Sequence, residues 1–224
     1  MTNNRMRCLS ILFLFCMIGG GSVFAQGKEF STYYHQRRTL FEKLPDTNGE
    51  IIFLGNSITD GGEWAELFQD SRVKNRGISG DITKGVIFRL TEVTSSKPAK
   101  VFLLIGINDL ALGIPPDTVY YNICRIANLI REQSPQTQVY IQSILPVNPE
   151  FGKFTGHCSK TDDILWVNHK LQGWCSQSGV YYVDLFSHFK NADNDWLNPS
   201  FTNDGLHLTG EGYWLWASII RPLL

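Results

Sequence analysis

Ser57 sits in "GNSIT", directly after an apolar run, with Gly61 and Gly62 shortly beyond it. A serine hydroxyl is a weak nucleophile until a base removes its proton, and that base needs a third group to hold its tautomer. Asp204 and His207, in "NDGLHLTGEGY", supply a carboxylate and an imidazole three residues apart. On a turn the carboxylate would accept from Nδ1–H while Nε2 faces outward toward the serine. Attack by such a serine on an ester carbonyl develops charge on oxygen, which needs donors already aimed at it. Three candidates are the backbone N–H of Ser57, the backbone N–H of Gly80 in "RGISGD", and the side-chain amide of Asn108 in "GIND". Glycine at 80 lets an N–H approach a substrate without a Cβ in the way. Gly61 and Gly62 are expected to keep the approach to Ser57 open and to allow unusual φ at the turn. The chemistry suggested is acyl transfer through a covalent serine intermediate.

These clusters need a frame that brings them together. Short apolar runs at 51–54, 73–76, 101–105, 139–143 and 181–185 read as strands. Helical patterns lie between and after them at 63–69, 84–93, 117–132, 160–177 and 210–222, with an extra leading helix at 29–44 that stops at Pro45. Asp117 and Ser159 are expected N-caps and Gly179 a helix stop. Such alternation predicts an α/β fold with a five-stranded, mostly parallel sheet, helices on both faces and strand order 2-1-3-4-5. In that order Ser57 follows strand 1, while Gly80 and Asn108 follow its neighbours on either side, strands 2 and 3. Asp204 and His207 end a connection of roughly 20 residues after strand 5, long enough to reach back over the crevice; loops of that length are usually functional.

Together the four clusters resemble the SGNH hydrolases, also called the GDSL esterase family. That resemblance implies a flavodoxin-like three-layer α/β/α sandwich, with Ser57 as nucleophile, Asp204 and His207 as acid and base, and Ser57, Gly80 and Asn108 as oxyanion residues. It spans about residues 50–221. Within the family, "NRGISGDIT" followed by "RL", and "GLHLTGEGY", look most like the branch related to the platelet-activating-factor acetylhydrolase α subunits. Asn56 departs from the name-giving pattern, which has aspartate there. The implied activity is hydrolysis of small acyl, expectedly acetyl, oxygen esters, on a carbohydrate or another small molecule, without cofactor or metal. Lysophospholipase and thioesterase activities belong to the same family and stay open.

Composition narrows the alternatives. With 224 residues and 43% apolar content, the chain can bury one sizeable core. Residues 1–25 read as a signal peptide: Arg5 and Arg7, an apolar run, then small residues ending at Ala25, near which cleavage is expected. Residues 26–224 would then be one exported domain, secreted or periplasmic, with no integral membrane segment. The 20 basic and 21 acidic residues give no cationic excess for nucleic acid. Beyond the signal remain Cys124, Cys158 and Cys175, with Cys158–Cys175 the better candidate for a bridge because Cys124 sits in a helical pattern.

Each residue also has a plainer reading. Ser57 alone could be a turn serine, Gly80 a turn glycine, Asn108 and Asp109 a loop cap, and Asp204 with His207 a surface turn or two metal ligands, metal being disfavoured because no second His, Cys or Asp cluster has ligand spacing. Asp60, Asp81 and Asp109 are read by default as solvated loop carboxylates. His35, His157, His169 and His188 are taken as structural or surface, with His157 an outside candidate for the pocket rim. Trp64, Phe151, Trp196 and Phe201 could stack on a sugar, although core packing is their commoner fate. A non-catalytic carbohydrate-binding module is the competing class; the intact set of five site residues speaks against it. An α/β-hydrolase fits less well, because "GNSIT" lacks the second glycine of the nucleophile elbow. A nucleotide or flavin binder lacks a glycine-rich phosphate loop.

Overall fold

The computed structural model describes residues 30–224, so the expected signal at 1–25 lies outside the described residues. Five strands form one parallel sheet in the order β2-β1-β3-β4-β5: β1 Ile51–Gly55, β2 Val73–Gly77, β3 Lys100–Leu104, β4 Gln138–Gln142 and β5 Tyr181–Val183. All five residues of β1 are buried, as a central parallel strand covered on both faces requires. Gly55 pairs with Gly77 of β2 and with Leu104 of β3, so three strands end level and release their loops along one edge.

Eleven α-helices follow the described chain: α1 Thr32–Phe41, α2 Ser57–Asp60, α3 Trp64–Phe68, α4 Thr83–Phe88, α5 Leu90–Ser95, α6 Ile107–Ala111, α7 Pro116–Gln133, α8 Thr155–Cys158, α9 Thr161–Ser178, α10 Phe186–Phe189 and α11 Gly210–Ile220. Helix α7 packs with α4, α5 and α9. Helices α3 and α11 pack together, where Trp64 stacks on Phe53 of β1 at 4.2 Å and meets Trp216 edge-on at 4.7 Å. Burial of these large rings anchors that layer to β1.

Local differences from the sequence reading have physical causes. The single helix expected at 84–93 is two, α4 and α5, divided at Arg89, whose backbone (φ −102°, ψ 10°) leaves the helical region while its side chain plunges inward. The expected N-caps move: Pro115 precedes α7, whose first residue Pro116 has no N–H to lose, and Lys160 rather than Ser159 precedes α9. Gly179 does stop α9 in the left-handed conformation, φ 74°. The last helix ends at Ile220, and a 3-10 turn takes up Pro222. The expected Cys158–Cys175 bridge is absent: Cys124, Cys158 and Cys175 are buried free thiols. Cys158 instead points its thiol at the carbonyl of Gly205, 3.5 Å away, while Cys175 lies on the buried face of α9. Among the described residues no helix is long and apolar enough to cross a membrane.

Candidate active site

The turn after β1 is built around close contacts. A Cβ on Gly55 would lie 2.3 Å from both the Leu104 carbonyl oxygen and Thr59 Oγ1, so only glycine lets the chain leave the sheet here. Asn56, fully buried, accepts from the Ile58 N–H at 3.1 Å and caps α2. Its Oδ1 does what an aspartate would do at that position. Ser57 is then the first residue of α2, so its N–H is among those a helix start leaves without an intrahelical acceptor. Gly61 and Gly62 play a different part from the one expected. Gly61 is right-handed (φ −74°), and a Cβ there would meet the Tyr213 hydroxyl at 2.6 Å; a Cβ on Gly62 would strike the Trp64 indole at 2.4 Å. They are packing glycines. Tyr213 donates to the Ile58 carbonyl at 3.0 Å and so ties α11 to the serine turn.

The neighbouring loops are cross-linked residue by residue. Asn108 Nδ2 donates to the Asp81 carbonyl at 2.8 Å, and the next residue, Asp109, accepts from the Thr83 N–H at 3.0 Å, capping α4. Gly80 is exposed at φ 80°, a conformation that disfavours any side chain although nothing stands within 4 Å of where a Cβ would be.

Three carboxylates expected to be solvated are not. Asp81 and Asp109 are 3% and 0% exposed, and Asp60 accepts from Ser79, Tyr33 and Arg37. Burial pushes the Asp81 carboxyl up to about 6, against the pull of the Arg89 guanidinium 2.9 Å away. Burial raises Asp109 as well, and its bonds from Thr83 oppose the shift. Arg89 also donates to the carbonyls of Gly55 and Arg76, at 3.2 and 2.9 Å. One guanidinium thereby joins the ends of β1 and β2 to the loop that carries Gly80. Sequence reasoning missed this residue; the signal was a lone charge inside the apolar stretch "GVIFRL".

Asp204 and His207 close the site from the far end of the chain. Asp204 Oδ1 accepts the N–H groups of Leu206 and His207 at 2.9 and 2.7 Å, and Oδ2 lies 2.8 Å from His207 Nδ1. His207 Nε2 is 3.0 Å from Ser57 Oγ. Burial alone would raise the Asp204 carboxyl; the two backbone donors and the imidazole outweigh it and hold the group below its usual range. The turn hangs from the loop after β4, where Asn148 N–H donates to the Gly205 carbonyl at 2.8 Å. Such a series of contacts can pass a proton from hydroxyl to imidazole and stabilise the charge that results.

A cleft of about 500 Å³ opens beside Gly80 and Asn108, lined further by Ala111, Leu112, Phe154 and His157. The rim candidate His157 is thus at the site. None of the four aromatics singled out from sequence lines this cleft: Trp64 is core, and Phe201 packs on Phe189 at 5.4 Å. The aromatic that does is Phe154, whose ring meets His207 edge-on at 5.0 Å. It follows Gly152 in the loop after β4, a glycine-bearing stretch at the carboxyl edge of the sheet that could have marked it. His35, His169 and His188 are absent from the cleft lining. Among the described residues no group of three or more His, Cys, Asp or Glu side chains is arranged to hold a metal ion.

Comparison with known proteins agrees with this architecture. Residues 53–215 match the model of the GDSL-like Lipase/Acylhydrolase family. The platelet-activating factor acetylhydrolase IB subunit alpha2 of Rattus norvegicus is 28% identical over 205 residues, 88% of this chain and 83% of that protein. The alpha1 subunit of Pongo abelii is 32% identical over 80% of this chain and 75% of its own length. Among solved structures, a GDSL-like lipase from Bacteroides thetaiotaomicron superposes with a TM-score of 0.73 at 26% identity, covering 85% of this chain and 96% of that one.

Proposed function

The chain belongs to the GDSL-like lipase/acylhydrolase family and is a carboxylic ester hydrolase; from that premise we propose that it works as a serine esterase through Ser57, His207 and Asp204. The observation that carries the reading is the 3.0 Å approach of His207 Nε2 to Ser57 Oγ, with Asp204 2.8 Å behind the ring. Ser57 Oγ attacks the ester carbonyl carbon as His207 takes its proton, and Asp204 holds the Nδ1–H tautomer and the imidazolium that forms. The carbonyl oxygen, now negative, is met by the N–H groups of Ser57 and Gly80 and by Asn108 Nδ2. Collapse expels the alcohol, which takes the proton from His207 and leaves an acyl-serine. Water, deprotonated by His207, then attacks that ester, the carboxylic acid departs and Ser57 regains its proton. No cofactor enters this scheme. Release of p-nitrophenol from p-nitrophenyl acetate, abolished in Ser57→Ala, tests the reading; a Ser57→Ala protein as active as the parent would sink it.

We propose acetyl as the acyl group, in keeping with relatives named acetylhydrolases, and an acetylated carbohydrate as the substrate. A specific observation favours a second reading of the alcohol. Leu112 and Phe154 on the cleft wall are 71% and 43% exposed, an apolar lip suited to an amphiphilic, lipid-like alcohol. Acetylated sugars and acetyl esters of long-chain alcohols, compared by kcat/KM, decide between them. Residues 1–25 are proposed as an export signal and 26–224 as the mature domain, released to the periplasm or the medium. N-terminal sequencing of the exported protein checks this: a first residue near Gln26 supports it, and an intact Met1 refutes it.

A further inference from the structure

His157 Nε2 lies 3.1 Å from Oδ1 of Asn108, the candidate oxyanion donor. The other end of that amide, Nδ2, is 2.8 Å from the backbone carbonyl of Asp81. A carbonyl only accepts, so the amide must turn its NH₂ toward Asp81 and its oxygen toward His157. Nε2 of His157 therefore carries a hydrogen and donates it. The amide is held from both sides, one Nδ2 hydrogen is taken by Asp81, and the second is left for a reacting oxygen.

His157 is itself fixed by its surroundings. It rides on α8, a single turn entered from Phe154 in the left-handed conformation (φ 48°). Cys158, next along, donates its N–H to the Phe154 carbonyl at 2.9 Å and its thiol to the Gly205 carbonyl within the Asp204–His207 turn. The Phe154 ring stands edge-on to both imidazoles, 5.9 Å from His157 and 5.0 Å from His207. One short helix thus touches the donor side and the base side of the site together. Burial, reinforced by the nearness of His207, holds the His157 imidazole below its usual range and so favours its neutral form.

We propose that His157 is a positioning residue for the oxyanion hole: by donating to Asn108 Oδ1 it locks the amide with one Nδ2–H facing the developing charge. This rests on the serine-esterase reading above. Without the bond, the amide can swing about its terminal torsion, and misplacement of a transition-state donor lowers kcat with little effect on KM.

The test uses the mature protein and p-nitrophenyl acetate. His157→Leu should lower kcat about 10- to 100-fold with KM nearly unchanged. His157→Gln, which can set an amide N–H where Nε2–H stood, should recover most of the loss. In an Asn108→Ala background, His157→Leu should cost nothing further, because the group it positions is gone. An unchanged kcat in His157→Leu, an equal loss in both backgrounds, or a Gln variant as impaired as Leu would each overturn the proposal. Thermal midpoints identify any variant that fails to fold, and the Gln variant keeps the question answerable if Leu does. Ser57→Ala, run alongside, separates failure of this inference from failure of the esterase reading itself.

Discussion

Arg89 and Asp81 form an ion pair with Nε 2.9 Å from Oδ2, and their side chains are 1% and 0% exposed. Two groups so fully removed from water gain little net stability from each other, yet removing one strands its partner. Arg89 also satisfies two strand-end carbonyls. Arg89→Met should cost about 3–5 kcal/mol, read from urea unfolding, and should reduce kcat because the Gly80 loop loses its tie to β1. Unchanged stability would show that the pair is dispensable.

The same pair sets a pH dependence. Asp81 titrates at about 6 in the folded chain against the usual 3.8, so the native state holds this proton more tightly than the unfolded one between those values. The stability this group contributes is therefore complete below 3.8 and lost as pH rises through about 6. Asp204 acts in the opposite sense: its lowered value contributes stability above the usual 3.8 that disappears as pH falls through the folded value. Thermal midpoints measured from pH 3 to 8 should lose the decline between about 4 and 6 in Asp81→Asn, while the acid-side loss below that window persists.

Glycines 55 and 80 should respond to alanine in different ways. At Gly55 the added Cβ meets Leu104 O and Thr59 Oγ1 at 2.3 Å, so the central strands must part, at a cost of about 1–3 kcal/mol. At Gly80 there is open space but φ is 80°, so the cost is roughly 1–2 kcal/mol of backbone strain, relieved by turning the N–H away. Gly55→Ala is expected to show chiefly in the melting midpoint, and Gly80→Ala chiefly in kcat.

Two substitutions separate the roles proposed around the carbonyl. Asn108→Ala should slow kcat about 10²- to 10³-fold with little change in KM, as loss of a transition-state donor does. Asp204→Asn, which keeps the shape but inverts the hydrogen bond to His207 Nδ1, should cost roughly 10⁴-fold in kcat. Steady-state kinetics on p-nitrophenyl acetate measure both; a predominantly KM effect in either would reassign that residue to substrate binding.

The sheet was legible because a parallel strand covered on both faces must be apolar throughout, as 51–54 and 101–105 are. With the strand order in hand, the placement of Ser57, Gly80 and Asn108 on adjoining loops followed, and the structure brings Asp204 and His207 back to them. What composition hid was the buried polar wiring. A carboxylate after a strand looks the same in sequence whether water or Arg89 satisfies it, so Asp81 and Asp109 passed as loop residues. Phe154 was obscure for another reason: its position depends on the course of the loop after β4, which no periodicity describes, and lying in that same loop marked His157 only as a rim candidate. Gly61 and Gly62 mislead in the same way, since their neighbours Tyr213 and Trp64 come from α11 and α3.

Asp60, three residues beyond Ser57, accepts from Tyr33 and Arg37 of α1 on one side and from both the N–H and the hydroxyl of Ser79 on the other. The leading helix is consequently no detachable handle. An affinity tag or reporter fused hard against residue 31 adjoins a helix linked through that carboxylate to the residue next to Gly80, and α11 at the other end is linked to the serine turn through Tyr213, so fusions intended for kinetic work belong behind a flexible spacer.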